Sequence, residues 1–293
     1  MSVPELLVLN AAVVLAAMLA LWLVALRLKD VSFIDAFWGF NMVLVAAVDW
    51  FVADGNPTRK ALLAGLCAIW GLRLGTHLFL RWRRHGADKR YVGLLGRLEK
   101  RGFSFPVASL LFVFLLQGVL LLIVCLPVQL GQAWEQPPVG LLGWIGAALA
   151  LFGVVFETVG DHQLERFKAD PGNAGKVMDR GLWRYTRHPN YFGDACVWWG
   201  LGLIACEVPW GWLSLAGPAF LTFTLLRWSG APTTEGSMKQ TRPGYADYVA
   251  RTSGFSSRTG FSSARYRATT RSTLPSTTAT GSSWQIAAMA ALV

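Results

Sequence analysis

Seven apolar runs, each close to the length needed to cross a bilayer, limit what this chain can become. They cover Glu5–Leu26, Phe33–Val52, Ala61–Leu80, Phe105–Leu126, Val139–Val159, Tyr191–Cys206 and Trp210–Leu226. A hydrocarbon core of about 30 Å takes roughly 20 helical residues to span. Within it, every backbone polar group must be paired inside the protein, which leaves helices or a closed barrel. Continuous runs of this length predict an all-α polytopic membrane protein with about seven transmembrane helices. The charge content agrees. Only 15% of the 293 residues are charged, against roughly 25% in soluble domains, so there is too little polar surface for a water-exposed exterior. The first run is too long, and lacks a preceding Lys or Arg, for a cleaved signal peptide.

Loop charge sets an expected orientation. Residues 81–101 carry eight Lys or Arg against two acids, and 166–187 is also basic, whereas 131–138 and 207–209 have none. Positive loops stay in the cytoplasm, which places the N-terminus outside and the basic loops inside; Arg59 and Lys60 are the exception. A net charge of +10 would suggest nucleic acid in a soluble protein. Spread between apolar runs, it reads instead as topology plus attraction to anionic lipid or an anionic cofactor. Membrane lipids are therefore expected partners, with no nucleic acid and no protein partner. Cys67, Cys125, Cys196 and Cys206 all fall in apolar segments without C-x-x-C spacing, so neither a disulfide framework nor a metal site is expected.

Composition changes abruptly after Phe255. Fifteen of the last 38 residues are Ser or Thr and none is acidic. This divides the chain into a transmembrane domain, 1–255, and a disordered tail, 256–293. A shifted reading frame would produce the same break.

The densest chemistry lies in 181–200, GLWRYTRHPNYFGDACVWWG. Pro189 suits the first turn of a helix, with Asn190, Tyr191 and Asp194 on its opening turns and Arg184, Arg187 and His188 just before. A helix start of this kind suits a phosphate or carboxylate; the plainer alternative is a juxtamembrane basic turn. The fifth run ends with Glu157, Asp161, Glu165 and Lys168 on one helical face. Glu165 and Arg166 read as a solvated helix end. Glu157 and Asp161, nearer the hydrocarbon, read as a site, because acids there need a polar cavity or a partner. Arg73 lies deep enough in the third run to need an acid or an anionic ligand, while Arg81, Arg83 and Arg84 are explained by topology. Asp35 is either a proton donor raised by desolvation or a first-turn acid favoured by the helix dipole. After the seventh run, Arg227, Glu235 and the stretch TRPGYADYVARTS form either a lid over the cytoplasmic face or an interfacial anchor. No G-x-G-x-x-G, Walker A, H-E-x-x-H or G-x-S-x-G motif occurs.

Through Ser32–Gly39 (SFIDAFWG), Trp70–Arg73, Asp88–Tyr91, Gly181–Gly193 and Arg242–Phe255, the chain resembles the steroid 5α-reductase-like membrane proteins over about residues 30–255. It is most similar to their bacterial branch, which carries a domain of unknown function. The resemblance implies a seven-helix bundle in the bacterial inner membrane, enclosing NADPH from the cytoplasm. It implies hydride transfer to an activated, enone-like C=C bond of a lipophilic substrate. Cofactor contacts would fall to Asp161, Lys168, Tyr185, Asn190, Tyr191, Asp194, Trp198, Arg227 and Tyr245, with Arg73 and Arg84 at the pyrophosphate. Steroid reductases polarise the substrate carbonyl with a Gln-Glu pair and a Tyr. Here Asp35 and Tyr91 are the candidate catalytic donors, and Trp38 and Trp70 the candidate substrate contacts. The Arg187-His188-Pro189-x-Tyr191 motif is also shared with isoprenylcysteine and phospholipid methyltransferases. A methyltransferase using S-adenosylmethionine on a lipid or isoprenylcysteine-like substrate is thus the alternative.

Overall fold

The computed structural model describes residues 1–228 and 230–255. The Ser/Thr-rich stretch 256–293 lies outside them. The long helices are α1 (Val3–Leu28), α2 (Ile34–Val52), α3 (Pro57–His85), α5 (Phe105–Val124) and α7 (Leu141–Ala169). Between and after them come α4 (Lys89–Glu99), α6 (Leu126–Gly131), α8 (Pro189–Ala205), α9 (Ala216–Phe223), α10 (Gly230–Thr241) and α11 (Tyr245–Arg251). Among the described residues there is no strand, only one isolated bridge between Thr186 and Ser253. The chain is an all-α integral membrane protein.

The five long helices are each long and apolar enough to cross a membrane. The sixth and seventh runs give shorter elements. Helix α8 has 17 residues and α9 has 8, because the turn around Pro209 and a 3-10 stretch, Gly211–Leu215, interrupt the apolar sequence between them. Helix α8 makes up the shortfall by burial: Val197, Trp198, Leu201 and Ile204 are fully enclosed. Two π-helical stretches, Leu110–Leu115 inside α5 and Thr224–Trp228 continuing α9, widen the helices that face the cavity described below.

Small residues decide which helices meet. Along α7, Gly146, Ala150, Gly153, Glu157 and Gly160 form one stripe, and α8 answers with Gly193, Val197 and Gly200. In lipid, where apolar side chains gain nothing by pairing with each other, such stripes let backbones approach and pack. A Cβ on Gly153 would lie 2.5 Å from the Gly193 carbonyl oxygen and 2.6 Å from the Val197 nitrogen. Gly39 and Gly71 hold α2 against α3 in the same way. Gly153→Ala is therefore expected to part α7 from α8 and cost about 1–3 kcal/mol, an overpacking penalty. Gly65→Ala, with open space around the new methyl, is the neutral control. Thermal unfolding in detergent separates the two.

The far ends of the helices are closed by specific bonds. Arg59, fully buried, donates to the carbonyl oxygens of Trp134 (3.2 Å) and Pro137. Lys60 donates to the Ala53 carbonyl (2.6 Å) and lies over the Trp50 ring. These two cations, out of step with the loop-charge pattern, thus serve the loops beside them. Glu207 accepts from the backbone N–H groups of Gly140 and Gly143, capping the start of α7.

Candidate active site

A cavity of about 1140 Å³ opens between the ends of α3 and α7 and runs inward between α2, α8 and α9. Its inner wall is mainly apolar, with Trp38, Met42, Val124, Leu221 and Leu225. Its mouth carries Arg81, Arg84, Lys89 and Lys168. Three polar assemblies are built into the wall between these ends.

The first joins α3 to α7. Glu157 is 3% exposed. It accepts from Trp70 Nε1 (3.0 Å) and Arg73 Nη1 (2.5 Å), and the other Arg73 nitrogen bonds to Asp161. Glu157 fits in the α7–α8 seam because its neighbour there is Gly193: a Cβ on Gly193 would sit 2.7 Å from Glu157 Cβ. The bond from Trp70 also holds that indole edge-on to Trp198, centroids 5.2 Å apart. Arg73 itself does not line the cavity. Its guanidinium is consumed by two carboxylates, so it faces acids where the resemblance implied pyrophosphate.

The second is a chain of hydrogen bonds at the inner wall. Trp38 Nε1 donates to Gln117 Oε1 (2.6 Å), Gln117 Nε2 donates to Tyr91 Oη (2.9 Å), and Tyr91 Oη donates to Asp35 Oδ1 (2.5 Å). Arg90 Nη2 reaches the other Asp35 oxygen (2.9 Å) and is itself held by Asp88, the N-cap of α4 (2.8 Å). Asp35 and Trp38 lie on the cavity wall; Tyr91 lies behind them, 1% exposed. Burial, reinforced by the Asp35 charge, pushes the Tyr91 phenol well above its usual range. Burial also works against Asp88, yet its bonds from Arg90 outweigh this and hold its carboxyl below the ordinary value. Gln117 was not singled out from the sequence, although an amide inside the run Phe105–Leu126 is the signal for such a role.

The third lies at the start of α8. Asn190, Tyr191, Asp194 and Trp198 all face the cavity. Asp194 Oδ1 and Trp198 Nε1, one helical turn apart, are buried polar atoms with no hydrogen-bond partner among the described residues.

The segment after α9 closes over this helix start. Glu235 of α10 accepts from Arg187 Nε (2.8 Å) and His188 Nε2 (3.0 Å). The His188 ring stacks on Tyr191 at 5.1 Å. Arg187 also donates to the Thr252 carbonyl, and Tyr248 Oη donates to the Trp183 carbonyl (2.5 Å). Tyr245 and Tyr248 of α11 line the cavity. The hydrogen bond from His188, aided by Arg187, holds the Glu235 carboxyl down at about 2 against the opposing effect of burial. A carboxylate depressed in the fold contributes stability above its unfolded value of about 4.3, lost as pH falls toward the folded value. The opening equilibrium of residues 230–251, read by hydrogen exchange, is therefore expected to stay flat through the neutral range and rise only below about pH 4. Glu235→Gln should reproduce that opening at neutral pH.

Two other residues sit apart from the cavity. Tyr185 is 67% exposed and Arg227 is exposed as well, and neither lines it. Tyr185 follows the 3-10 turn Gly181–Arg184 and Arg227 lies in the π-helical stretch Thr224–Trp228, and both side chains are exposed. Arg84, Asp161, Lys168, Asn190, Tyr191, Asp194, Trp198 and Tyr245, with Asp35, Trp38 and Trp70, are brought to one cavity. Among the described residues, no group of His, Cys, Asp and Glu is arranged to hold a metal ion.

Residues 21–252 match the family described as protein of unknown function, DUF1295. The chain belongs to this family. The DUF1295 match covers all three polar assemblies and the strap of α10 and α11. Among curated proteins, an uncharacterized protein of Schizosaccharomyces pombe is 23% identical over 234 residues, covering 72% of this chain and 65% of that one. The 3-oxo-5-alpha-steroid 4-dehydrogenase 1 of Mus musculus is 37% identical over 95 residues, 32% of this chain and 33% of the enzyme. Its Rattus norvegicus counterpart is 37% identical over the same length. The chain thus spans just under two thirds of the yeast relative and about a third of the steroid enzymes. These similarities tie the DUF1295 chain distantly to the steroid reductase-like proteins. No solved structure matches it.

Proposed function

We propose that this protein is a membrane reductase that binds NADPH in the cavity and reduces an activated C=C bond of a lipophilic substrate. The observation that carries the reading is the pair of orphaned atoms on α8. Asp194 Oδ1 wants a donor and Trp198 Nε1 wants an acceptor, side by side on one wall. A primary carboxamide, such as that of nicotinamide, offers one of each. The four cations at the mouth supply what a phosphorylated cofactor needs at its other end, and the similarity to steroid dehydrogenases supports a reductase.

When bound, the cofactor supplies the hydride. The remaining work falls to the protein. Arg81, Arg84, Lys89 and Lys168 would hold the phosphates, and Asp194 and Trp198 would fix the ring. Tyr91 Oη donates to Asp35 Oδ1 at the inner wall, with Gln117 and Trp38 fixing their orientation. A substrate carbonyl placed beside Asp35 would draw on the Tyr91 proton, relayed through the Asp35 carboxyl, as negative charge develops on its oxygen. The apolar residues beyond exclude water and receive the body of the substrate. The cavity mouth lies beside the basic segment 81–101, which supports access from the cytoplasm.

One observation favours the rival. Glu157, Asp161 and Asp194 with Trp70 and Trp198 make an acidic, aromatic floor, which also suits the sulfonium of S-adenosylmethionine. The four mouth cations favour the phosphorylated cofactor, because S-adenosylmethionine carries no phosphate. Thermal unfolding of the detergent-purified protein is expected to rise with NADPH and stay unchanged with S-adenosylmethionine. The reverse result would install the methyltransferase reading.

A further inference from the structure

Away from the cavity, α1, α2 and α6 enclose a second polar group that the reaction does not use. Asp49 and Asn10 are 0% exposed and Gln129 is 1% exposed. Asn10 Nδ2 donates to Asp49 Oδ1 (2.8 Å) and reaches Gln129 Oε1 (3.4 Å). Gln129 Nε2 is spent on the Leu122 carbonyl (2.8 Å). What remains is two buried oxygens, Asp49 Oδ2 and Asn10 Oδ1, with no donor among the described residues. The charged and titratable groups around Asp49 are Lys60 and Cys67 of α3 and Cys125 at the α5–α6 junction. Lys60 Nζ is occupied by the Ala53 carbonyl and the Trp50 ring.

A carboxylate sealed from water with one bare oxygen and no bonded cation is among the costliest groups a fold can carry. Turning the Asn10 amide over does not help, since it would set oxygen against oxygen at the one bond already made. A single added proton satisfies both orphans. Placed on Asp49 Oδ2, it converts that oxygen from an acceptor to a donor, and the orphaned acceptor Asn10 Oδ1 belongs to the same amide that already bonds Oδ1. We propose that Asp49 is a proton-binding site, its carboxyl held neutral in a two-bond acid–amide pair with Asn10 that fastens α1 to α2. This inference is independent of the cofactor reading, since no residue in it lines the cavity.

Infrared difference spectroscopy of the full chain in nanodiscs tests it. Subtracting Asp49→Asn from the native protein at neutral pH is expected to reveal a protonated-carboxyl C=O band, with NADPH binding unchanged. The exchanged chain Asn10→Asp/Asp49→Asn should regain that band and unfold within a few degrees of native. Loss of carboxylate bands in the subtraction would overturn the proposal. So would a native protein stabilised by sodium but not by choline chloride, which would mean a hard monovalent cation among the oxygens, Gln132 Oε1 included. An Asp49→Asn chain that cannot fold would overturn it as well, since this isostere removes only charge from an ionised group and changes little in a neutral one.

Discussion

Replacing Arg73 by leucine is expected to destabilise the bundle by about 3–5 kcal/mol, the usual cost of stranding buried charge by removing its partner. Arg73 is the shared counter-ion of Glu157 and Asp161, and it fastens α3 to α7 through both. Without it, two carboxylates lie together in a seam where Glu157 is 3% exposed, with Asp194 in electrostatic reach. The loss should show as a lower unfolding midpoint in detergent. Adding Glu157→Gln and Asp161→Asn to Arg73→Leu should recover most of it, because the three changes remove the charges together and the residual interaction is neutral. A different result follows if Arg73 grips phosphate. Arg73→Leu would then weaken NADPH binding at unchanged stability, and the neutral triple variant would rescue nothing.

Arg73 also marks the limit of what the sequence makes legible. Its depth in an apolar run demands a partner, yet depth alone does not choose between an acid and an anionic ligand. That choice depends on the α7–α8 stripe, where Gly193 makes room for Glu157, and such pairing between helices leaves no trace in either segment read singly. Runs of apolar residues are local, so five of the seven appear as long helices. The sixth and seventh are shorter because interruption by Pro209 and a 3-10 turn matters more than mean hydropathy. Gln117 and Asn10 show the same limit. Each is one amide inside an apolar run, a visible signal, but its meaning comes from Tyr91 and Trp38 in one case and Asp49 in the other, all distant in the chain. Tyr185 and Arg227 err the other way: the resemblance put them in the site, while both side chains are exposed and neither lines the cavity.

Asp194→Ala is expected to weaken NADPH roughly tenfold, the loss of one buried hydrogen bond at about 1.5 kcal/mol. Trp198→Phe, which keeps an aromatic ring and removes Nε1, should cost less, about 1 kcal/mol or fivefold. Because both atoms are orphaned without a ligand, neither substitution breaks a bond already made in the fold. The effect of Asp194→Ala should therefore fall on binding and leave the unfolding midpoint near native, whereas Trp198→Phe, which trims a fully enclosed ring packed on Trp70, lowers the midpoint as well. The fragment adenosine 2′,5′-bisphosphate, which has phosphates but no carboxamide, separates the two ends of the site. Its affinity should be indifferent to Asp194→Ala and Trp198→Phe, yet fall with Arg84→Ala or Lys168→Ala and with added salt. If Asp194→Ala weakens the fragment as much as NADPH, the α8 pair does not read a carboxamide, and the floor of the cavity must hold some other part of its ligand.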